Sequence, residues 1–392
     1  MAELLGLDEA IALVLERAKP LPSERVALER AAGRVTAVPA RAVVDLPSFA
    51  SSAMDGFALR SEDTPGELPI VERIAAGRPA SRPLSAGETM AIATGGVVPD
   101  GANAVVPIEV VVQSDNRLEV PQPVRTGAHV RPQGADVQQG DVVVDAATRL
   151  EPRHLGALAA AGVTEVECAG RPRVFVVSTG SELRPPGASL EPGQIYEANG
   201  RLLAAALDAA GAEVLDVVQV EDDEREHRRA LERALESDVV VTSGGVSVGP
   251  HDLVRAISGE LGVEEIFWRV AVKPGKPVSF GARGATLVFG LPGNPVSTLV
   301  GFELFVRPAL RALEGERDPG PRFEWGTLSA PVRRDPARDE LVRARRTPDG
   351  LVPFGGQESH MIVRASAADA LVLVHRGNGE FAAGERVEYL PL

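Results

Sequence analysis

The chain has 392 residues, and at roughly 150 residues per domain this length predicts two to four domains. Apolar residues make up 44% of it, enough to fold around a core instead of remaining disordered. Acidic residues outnumber basic ones by 14, which disfavours binding to nucleic acid or to a membrane surface, since both require a concentrated positive field. The single cysteine excludes an intrachain disulfide and thiolate metal sites. We therefore expect a cytoplasmic protein with small-molecule ligands.

The basic residues are distributed unevenly between the two residue types. Of 41 basic residues only three are lysines, namely Lys19, Lys273 and Lys276. Two of these three lie in one short stretch, although the chain uses arginine almost everywhere else. Because an ammonium is a compact point charge and a guanidinium is a planar fork, this choice indicates that lysine is required there.

The first 131 residues predict two helices followed by a β-rich region. Apolar spacing predicts a helix over 7–18 with Asp8 as its N-cap, and a second helical stretch over 23–32. From residue 45 to about 131, glycine, proline and serine interrupt short β-type runs. The clearest of these runs are 89–93 and 104–112, and the latter turns at 114–116 into 117–120 as a hairpin.

From residue 173 the pattern alternates between strands and helices. The predicted strands cover 174–177, 213–218, 238–242, 266–272 and 286–289, and the predicted helices cover 199–210, 224–235, 253–261 and 295–313. Short continuous apolar strands alternating with helices predict a parallel sheet with helices on both faces. Beyond residue 319, alternating runs at 339–345, 370–375 and 386–390 predict a small C-terminal β domain.

Three glycine-rich segments each follow a predicted strand directly. The candidate binding residues in them are Ser178, Thr179, Gly180, Ser243, Gly244, Gly245, Ser247, Pro292, Gly293, Asn294 and Pro295. The carboxyl ends of parallel strands form the ligand crevice, where backbone N–H groups of such loops bind anions. Any one loop alone would be an ordinary strand-to-helix turn. The three together predict a nucleotide-type anion, although none has a P-loop or dinucleotide fingerprint.

Charged residues of both signs accompany these loops. Glu182, Asp252 and the pair Asp222–Asp223 predict Mg²⁺ held beside a phosphate, with helix capping as the alternative role of the pair. Lys273 to Lys276, with Gly275 between them, predict an oxyanion clamp, and the alternative is an exposed turn. Asp55 lies among small residues at 51–58, and on physical grounds alone we predict that it is part of a turn.

Seven motifs occur in a fixed order across the whole chain. They are 52–58, 94–96, 178–183, 242–249 with Asp252, 268–276, 290–297 and 359–360. As a set they resemble the molybdopterin molybdenumtransferase family, which is MoeA in bacteria and the C-terminal domain of gephyrin in animals. The chain departs from the family pattern at three positions: Arg269 stands where lysine is frequent, Phe57 where tyrosine is common and Gly96 where alanine is usual.

The resemblance implies a multidomain α/β plus β fold with four parts. Residues 1–44 with 132–171 would form an elongated N-terminal dimerisation segment, and 45–131 an inserted β-rich domain. Residues 172–318 would form a doubly wound α/β domain that binds molybdopterin, and 319–392 a small C-terminal β barrel. Members of the family are homodimers, with the cleft between the α/β domain of one subunit and the inserted domain of the other.

The resemblance further implies insertion of molybdate into adenylated molybdopterin, with Mg²⁺-dependent release of AMP. The family's catalytic residues match Asp55, Glu182, Asp223, Asp252, Lys273 and Lys276, of which Glu182 and Asp252 would bind the metal. Its further substrate-binding residues match Thr94, Ser297, Arg343 and Ser359. Molybdopterin adenylyltransferase and the acceptor molybdoenzymes would be partners, whereas nucleic acid and membranes would not.

Two other functions and one other substrate stay open at this point. The preceding adenylylation step belongs to a related single-domain fold, and the extra domains argue against it as the only activity. A non-catalytic scaffold is the second alternative, and the intact acids and lysines favour catalysis over it. Tungstate in place of molybdate stays open, because the two oxyanions are nearly equal in size and charge.

Overall fold

The computed structural model describes residues 4–245 and 253–392. The first 44 residues contribute the helix α1 (Leu7–Arg17) and the strands β1 (Ser23–Ala27) and β2 (Ala40–Arg41). The helix confirms the prediction for 7–18, but its N-cap is Gly6, and Asp8 lies in the first turn instead. The helix predicted over 23–32 was wrong, because this stretch is β1 followed by one 3₁₀ turn.

The next region is built almost entirely from strands. They are β3 (Ser51–Ser52), β4 (Gly56–Leu59), β5 (Gly66–Ile74), β6 (Thr89–Ile92), β7 (Ala104–Pro107), β8 (Val112–Ser114), β9 (Arg117–Val120) and β10 (Val130–Arg131). Six of them form one sheet in the order β7-β4-β6-β5-β9-β8. Strands β8 and β9 form a hairpin at the predicted turn, but the strand predicted over 104–112 was wrong in extent, because 104–107 is β7 and pairs with β4 instead. Phe57 and Leu59 enter one apolar cluster and Ala58 another, because successive side chains of a strand point to opposite faces.

The chain then returns to pair with its first residues. The elements are β11 (Val142–Val144), α2 (Pro152–Ala160) and β12 (Glu165–Ala169). Strand β12 pairs antiparallel with β1, so that Val26 lies opposite Val166 in a cluster with Leu150 and Leu158. This pairing explains the strand at 23–27, since backbone pairing and burial of Val26 override the helix propensity of its neighbours.

Residues 173–291 form a six-stranded mixed sheet. The elements are β13 (Arg173–Thr179), β14 (Leu183–Arg184), β15 (Ile195–Tyr196), α3 (Asn199–Ala209), β16 (Glu213–Val220), α4 (Glu224–Ala234), β17 (Val239–Ser243), α5 (Leu253–Glu260), β18 (Glu264–Trp268), β19 (Val272–Lys273), β20 (Ser279–Arg283) and β21 (Thr286–Leu291). The strand order is β16-β13-β17-β21-β20-β18, and the first four strands are parallel.

The prediction of an all-parallel sheet was wrong at one edge. Strand β20, which the sequence pattern did not reveal, runs antiparallel to both β21 and β18. Only Gly284 and Ala285 separate β20 from β21, and Gly284 has a positive φ of 59°. A two-residue connection makes a hairpin, and paired strands joined in this way are antiparallel.

The rest of the chain adds a long helical rod and a second sheet. The elements are α6 (Pro295–Gly301), α7 (Arg307–Leu313), β22 (Glu324–Thr327), β23 (Val332–Arg333), β24 (Asp339–Thr347), β25 (Gly350–Pro353), α8 (Ile362–Ala365), β26 (Ala370–Val374), β27 (Glu380–Phe381) and β28 (Arg386–Pro391). A π-helical turn at 302–306 joins α6 to α7, so the helix predicted over 295–313 is continuous.

The largest apolar core lies between the mixed sheet, this rod and α1. Val14 of α1 is fully buried there with Phe302 and Phe305 of the rod. The second sheet has the order β19-β24-β26-β28-β22, with β25 paired to β24, and therefore shares β19 with the region that carries the mixed sheet. In the part of the chain that the structure describes, no helix is long and apolar enough to cross a membrane.

Candidate functional site

Three glycine-rich loops meet at the carboxyl edge of the mixed sheet. They follow β13, β17 and β21, which are neighbours in the sheet and run parallel. A Cβ at Gly244 would lie 2.7 Å from the carbonyl oxygen of Thr179, and one at Gly293 would lie 3.7 Å from Gly244 Cα. Gly244 also has a positive φ of 93°. The close approach of the loops therefore requires glycine at this position.

Asn199, which the sequence analysis missed, links two of these loops. Its side-chain nitrogen donates to Ser243 Oγ at 2.8 Å and to the carbonyl oxygen of Gly293 at 2.7 Å. Its Oδ1 is buried and has no hydrogen-bond partner among residues 4–245 and 253–392. A buried polar atom without a partner is rare in proteins and points to a ligand or water. The available signal was its position as the first residue of a predicted helix at the loop edge.

Ser178 and Thr179 form the floor of the first loop. Ser178 is 2% exposed and donates to Glu197 Oε1 at 2.8 Å, and the same oxygen accepts from the backbone N–H of Gly200 at 2.6 Å. Thr179 is 8% exposed and lies 3.5 Å from the carbonyl oxygen of Ser243. These two hydroxyls therefore fix the geometry of the loop. The sequence analysis had predicted that they contact the ligand directly.

The predicted acids occupy different environments. Glu182 is exposed, and its Oε2 lies so close to Gly180 that a Cβ there would be 2.5 Å away. Asp223 is the N-cap of α4 and accepts from the backbone N–H of Glu226 at 2.9 Å, which confirms the capping alternative. Ser247 and Asp252 lie outside the described residues. Among residues 4–245 and 253–392, no cluster of three His, Cys, Asp or Glu side chains could hold a metal.

The two lysines of the turn are not equivalent. Lys273 Nζ lies 3.0 Å from Glu340 Oε1, because β19 pairs in parallel with β24 and places the two residues side by side. Lys276 is exposed, and it forms no ion pair with any residue that the structure describes. Gly275 between them has a φ of 117°, a conformation that favours glycine. A Cβ there would lie 3.9 Å from the carbonyl oxygen of Ser297. The turn thus lies against the start of α6.

The C-terminal region contacts the same end of α6. Asn294 donates from Nδ2 to Ser359 Oγ at 2.8 Å, and the N–H of Val296 donates to the carbonyl oxygen of Ser359 at 3.1 Å. Thr298 Oγ1 donates to the carbonyl oxygen of Pro292 at 2.7 Å and so fixes the turn between them. The structure therefore brings together three predicted segments: 273–276, 292–297 and the loop that carries Ser359.

Arg343 does not face this site directly, contrary to its predicted role. It is 1% exposed, and burial lowers the pKa of its guanidinium. The guanidinium donates to Gln357 Oε1 and to three carbonyl oxygens, those of Gly356, Glu358 and Met361. Since these acceptors flank Ser359 on both sides, Arg343 holds the loop from below. It is a positioning residue.

Asp55 and Thr94 are brought together in the β-rich region. Asp55 Oδ1 accepts from the backbone N–H of Thr94 at 2.7 Å, and both residues are exposed. Within residues 4–245 and 253–392, no hydrogen bond or ion pair joins 51–131 to 173–392. The structure therefore brings Asp55 and Thr94 together, and no described hydrogen bond or ion pair joins them to the lysine turn of the same chain.

At the positions where the chain departs from the resembled pattern, the structure shows how each residue is accommodated. Phe57 is 2% exposed within an apolar cluster, where a hydroxyl would need a partner. Gly96 packs against Ile92 so closely that a Cβ would lie 2.8 Å from its Cγ1. Arg269 has a positive φ of 74° and its guanidinium lies 3.7 Å from the ring centre of Trp268, a cation–π contact.

Comparison with known proteins gives matches along nearly the whole chain. Residues 5–162 match the MoeA N-terminal region (domain I and II), 175–312 a probable molybdopterin binding domain, and 326–392 the MoeA C-terminal region (domain IV). Molybdopterin molybdenumtransferase 2 of Mycobacterium tuberculosis is 36% identical, with 97% of each chain covered. The molybdopterin molybdenumtransferase of Haemophilus influenzae is 33% identical, with 99% of this chain and 98% of the other covered.

A solved structure agrees with these sequence matches. The molybdopterin biosynthesis MoeA protein of Pyrococcus horikoshii is 31% identical, covers 99% of both chains and superposes with a TM-score of 0.86. Together with the order of the motifs and the loops gathered at one sheet edge, the comparisons give one assignment. The chain belongs to the molybdopterin molybdenumtransferase (MoeA) family, the transferases of molybdenum cofactor biosynthesis.

Proposed function

We propose that this transferase inserts molybdate into adenylated molybdopterin and releases AMP. The single observation that carries the proposal is the meeting of the turn 273–276, whose Lys276 forms no ion pair with any described residue, with the α6 start and the Ser359 loop. A site for an oxyanion needs positive charge and hydrogen-bond donors at one point. Both are present beside three loops of the kind that bind phosphate through backbone N–H groups.

The adenylated pterin would lie over the loops at 180–182, 244–245 and 292–294. Gly244 and Gly293 have no side chains, which lets a ligand approach the backbone. Asn199 Oδ1, buried without a partner, offers an acceptor for a ligand N–H. Ser178 and Thr179 would support this surface from below, through the bonds that they make to Glu197 and toward Ser243.

Mg²⁺ would be held at the exposed Glu182. Its carboxylate is the oxygen donor that Mg²⁺ prefers, and Mg²⁺ sites commonly use one or two carboxylates, waters and substrate phosphate. One acid beside phosphate-binding loops fits that pattern, and Asp252 would be the second. The ion would supply charge neutralisation at the phosphate that leaves with AMP. Asp223 contributes by capping α4, which fixes the loop beside Glu182.

Molybdate would bind between Lys276 and the loop of Ser359. Lys276 supplies a cation that no described carboxylate neutralises, whereas Lys273 is held in place by Glu340. Ser359 accepts from Asn294, so its hydroxyl hydrogen stays available as a donor to an oxyanion. Ser297 lies next to this point on α6 and adds a further hydroxyl. Arg343 acts indirectly, by fixing the loop.

The catalytic form would be a homodimer in which Asp55 and Thr94 enter the cleft of the partner subunit. The exposed Asp55–Thr94 pair supports this, because nothing in the described chain joins it to the lysine turn of its own subunit. Family members act as dimers of this kind, according to the resemblance. A carboxylate would serve there in orienting the pterin or its leaving phosphate.

A reconstituted insertion assay tests the proposed function. Purified protein is mixed with adenylated molybdopterin, molybdate and Mg²⁺, and AMP and active cofactor are measured together. We expect equal amounts of AMP and cofactor, with no AMP when molybdate is omitted. AMP without cofactor, or neither product at any molybdate concentration, would reject the proposal. Replacing molybdate by tungstate in the same assay reports which oxyanion is preferred.

A further inference from the structure

A basic cavity lies away from the candidate site, beyond the far end of α3. Its volume is about 370 Å³, and six arginines line it: Arg34, Arg149, Arg171, Arg307, Arg311 and Arg322. Helix α3 starts at Asn199, beside the glycine-rich loops, and its C-terminal residues contribute to the cavity wall. At about 1.5 Å per residue, the 11 residues of α3 separate the two places by roughly 16 Å.

The carboxylates around the cavity only partly neutralise it. Asp208 and Glu314 line it, and three more acids pair with its arginines from outside, namely Glu24, Glu303 and Glu316. Among the residues that the structure describes, six guanidinium groups therefore face five carboxylates, in a chain whose net charge is −14. Burial also raises the pKa of Glu314.

Two of the arginines keep hydrogen-bonding capacity that the protein does not use. Arg171 is exposed and makes no hydrogen bond or ion pair with the residues that the structure describes. Arg311 donates to the carbonyl oxygen of Gly320 at 3.0 Å and lies 4.0 Å from Glu316. Burial, together with repulsion from Arg322 and other arginines, lowers the pKa of Arg311 to about 10. An additional anion would relieve that repulsion.

We propose that this cavity is a second anion site, which binds the phosphate group of a small molecule. Guanidinium groups match phosphate in geometry and bind it with paired N–H donors. Ligand cavities range from about 300 to 1,000 Å³, so this one lies near the small end of that range. Free inorganic phosphate and a nucleoside monophosphate share this chemistry. The site is independent of the insertion chemistry proposed above.

Isothermal titration calorimetry with inorganic phosphate tests the proposal on the full chain. We expect saturable one-site binding to the unmodified protein, and binding at least about tenfold weaker to Arg171→Glu. Arg171 is exposed and unpaired, so the variant should fold, and an unchanged thermal midpoint verifies this. Arg225→Glu is the matched control, because Arg225 is exposed on α4 and does not line the cavity; its binding should be unchanged.

Two further measurements distinguish the cavity from the lysine turn and free phosphate from a nucleotide. Lys276→Ala should retain phosphate binding, which places the ligand away from the lysine turn 273–276. If AMP binds tenfold tighter than phosphate and Arg171→Glu weakens both to the same extent, the cavity is a nucleotide site. If AMP binds as tightly as phosphate or more weakly, the cavity is a site for free phosphate. No saturation up to about 10 mM phosphate, or equal affinity in Arg171→Glu, would overturn the proposal.

Discussion

The loops of the mixed sheet and the Asp55–Thr94 pair are fixed in opposite ways. The loops are tied to one another across long sequence separations, through Asn199 to Ser243 and Gly293 and through Asn294 to Ser359. Among the described residues, the pair is held only by its own β-rich region. One half of the proposed site is therefore preformed within a subunit, and the other half is presented outward.

This difference teaches that rigidity within one chain and completeness of the site are separate properties. Bonds between loops fix donors and charges before a ligand arrives, which reduces the ordering that binding must impose. An exposed acid that no described hydrogen bond or ion pair joins to the lysine turn instead fits a surface that meets a second copy.

Removing the unpaired charge of the preformed half should have the largest effect on activity. We expect Lys276→Ala to lower the insertion rate roughly 100-fold or more, the usual cost of losing a group that stabilises an oxyanion. The measurement is insertion rate against molybdate concentration. Lys19→Ala is the matched control, because Lys19 is exposed near the end of α1; a similar loss in both variants would remove Lys276 from the site.

Removing the support beneath the Ser359 loop should affect stability most. Arg343→Ala removes four hydrogen bonds that a buried guanidinium donates to half-buried or exposed acceptors. A hydrogen bond to a charged group contributes about 1.5–3 kcal/mol, so we expect a loss of roughly 3 kcal/mol or more in the free energy of unfolding. Denaturant titration measures it. Arg345→Ala, two residues along β24 and exposed, should change stability by less than about 0.5 kcal/mol. Equal stabilities would contradict the positioning role.

Exchanging lysine for arginine should affect Lys273 and Lys276 differently, and the effect on activity should be smaller than that of Lys276→Ala. Lys273→Arg keeps a partner in Glu340, so we expect little change in the molybdate concentration for half-maximal insertion. Lys276→Arg replaces a compact charge by a planar fork, and we expect a several-fold increase. The measurement is the molybdate titration of both variants. If both match the unmodified protein, the turn needs only positive charge, and the scarcity of lysine has another cause.

How far the sequence anticipates this structure depends on whether a feature is local. The apolar runs at β13, β17 and β21 and the loops after them follow from local pattern, and the described parts of the three loops meet as expected. Strand β1 and strand β20 escaped prediction, because β1 depends on pairing with β12, some 140 residues later, and β20 on a hairpin whose short turn carries no strong signal.

Side-chain partners escaped prediction for the same physical reason. The pairing of Lys273 with Glu340 arises from two strands far apart in sequence, so the difference between the two lysines is visible only in the fold. The burial of Arg343 likewise depends on the loop that wraps around it. Asn199 was within reach of sequence reasoning, since a polar residue that opens a helix at a ligand edge is a recognisable candidate.

The central claim is that each site combines groups from two subunits, and subunit complementation tests it most directly. Asp55→Asn and Lys276→Ala chains, each with low activity alone, are co-expressed with different affinity tags, and doubly tagged dimers are isolated. If Asp55 serves the partner, one of the two sites in each mixed dimer is intact, and the insertion rate should return to about half that of the unmodified dimer. If both groups serve their own subunit, every site carries one lesion and the mixed dimer stays as inactive as its parents, which would contradict the account.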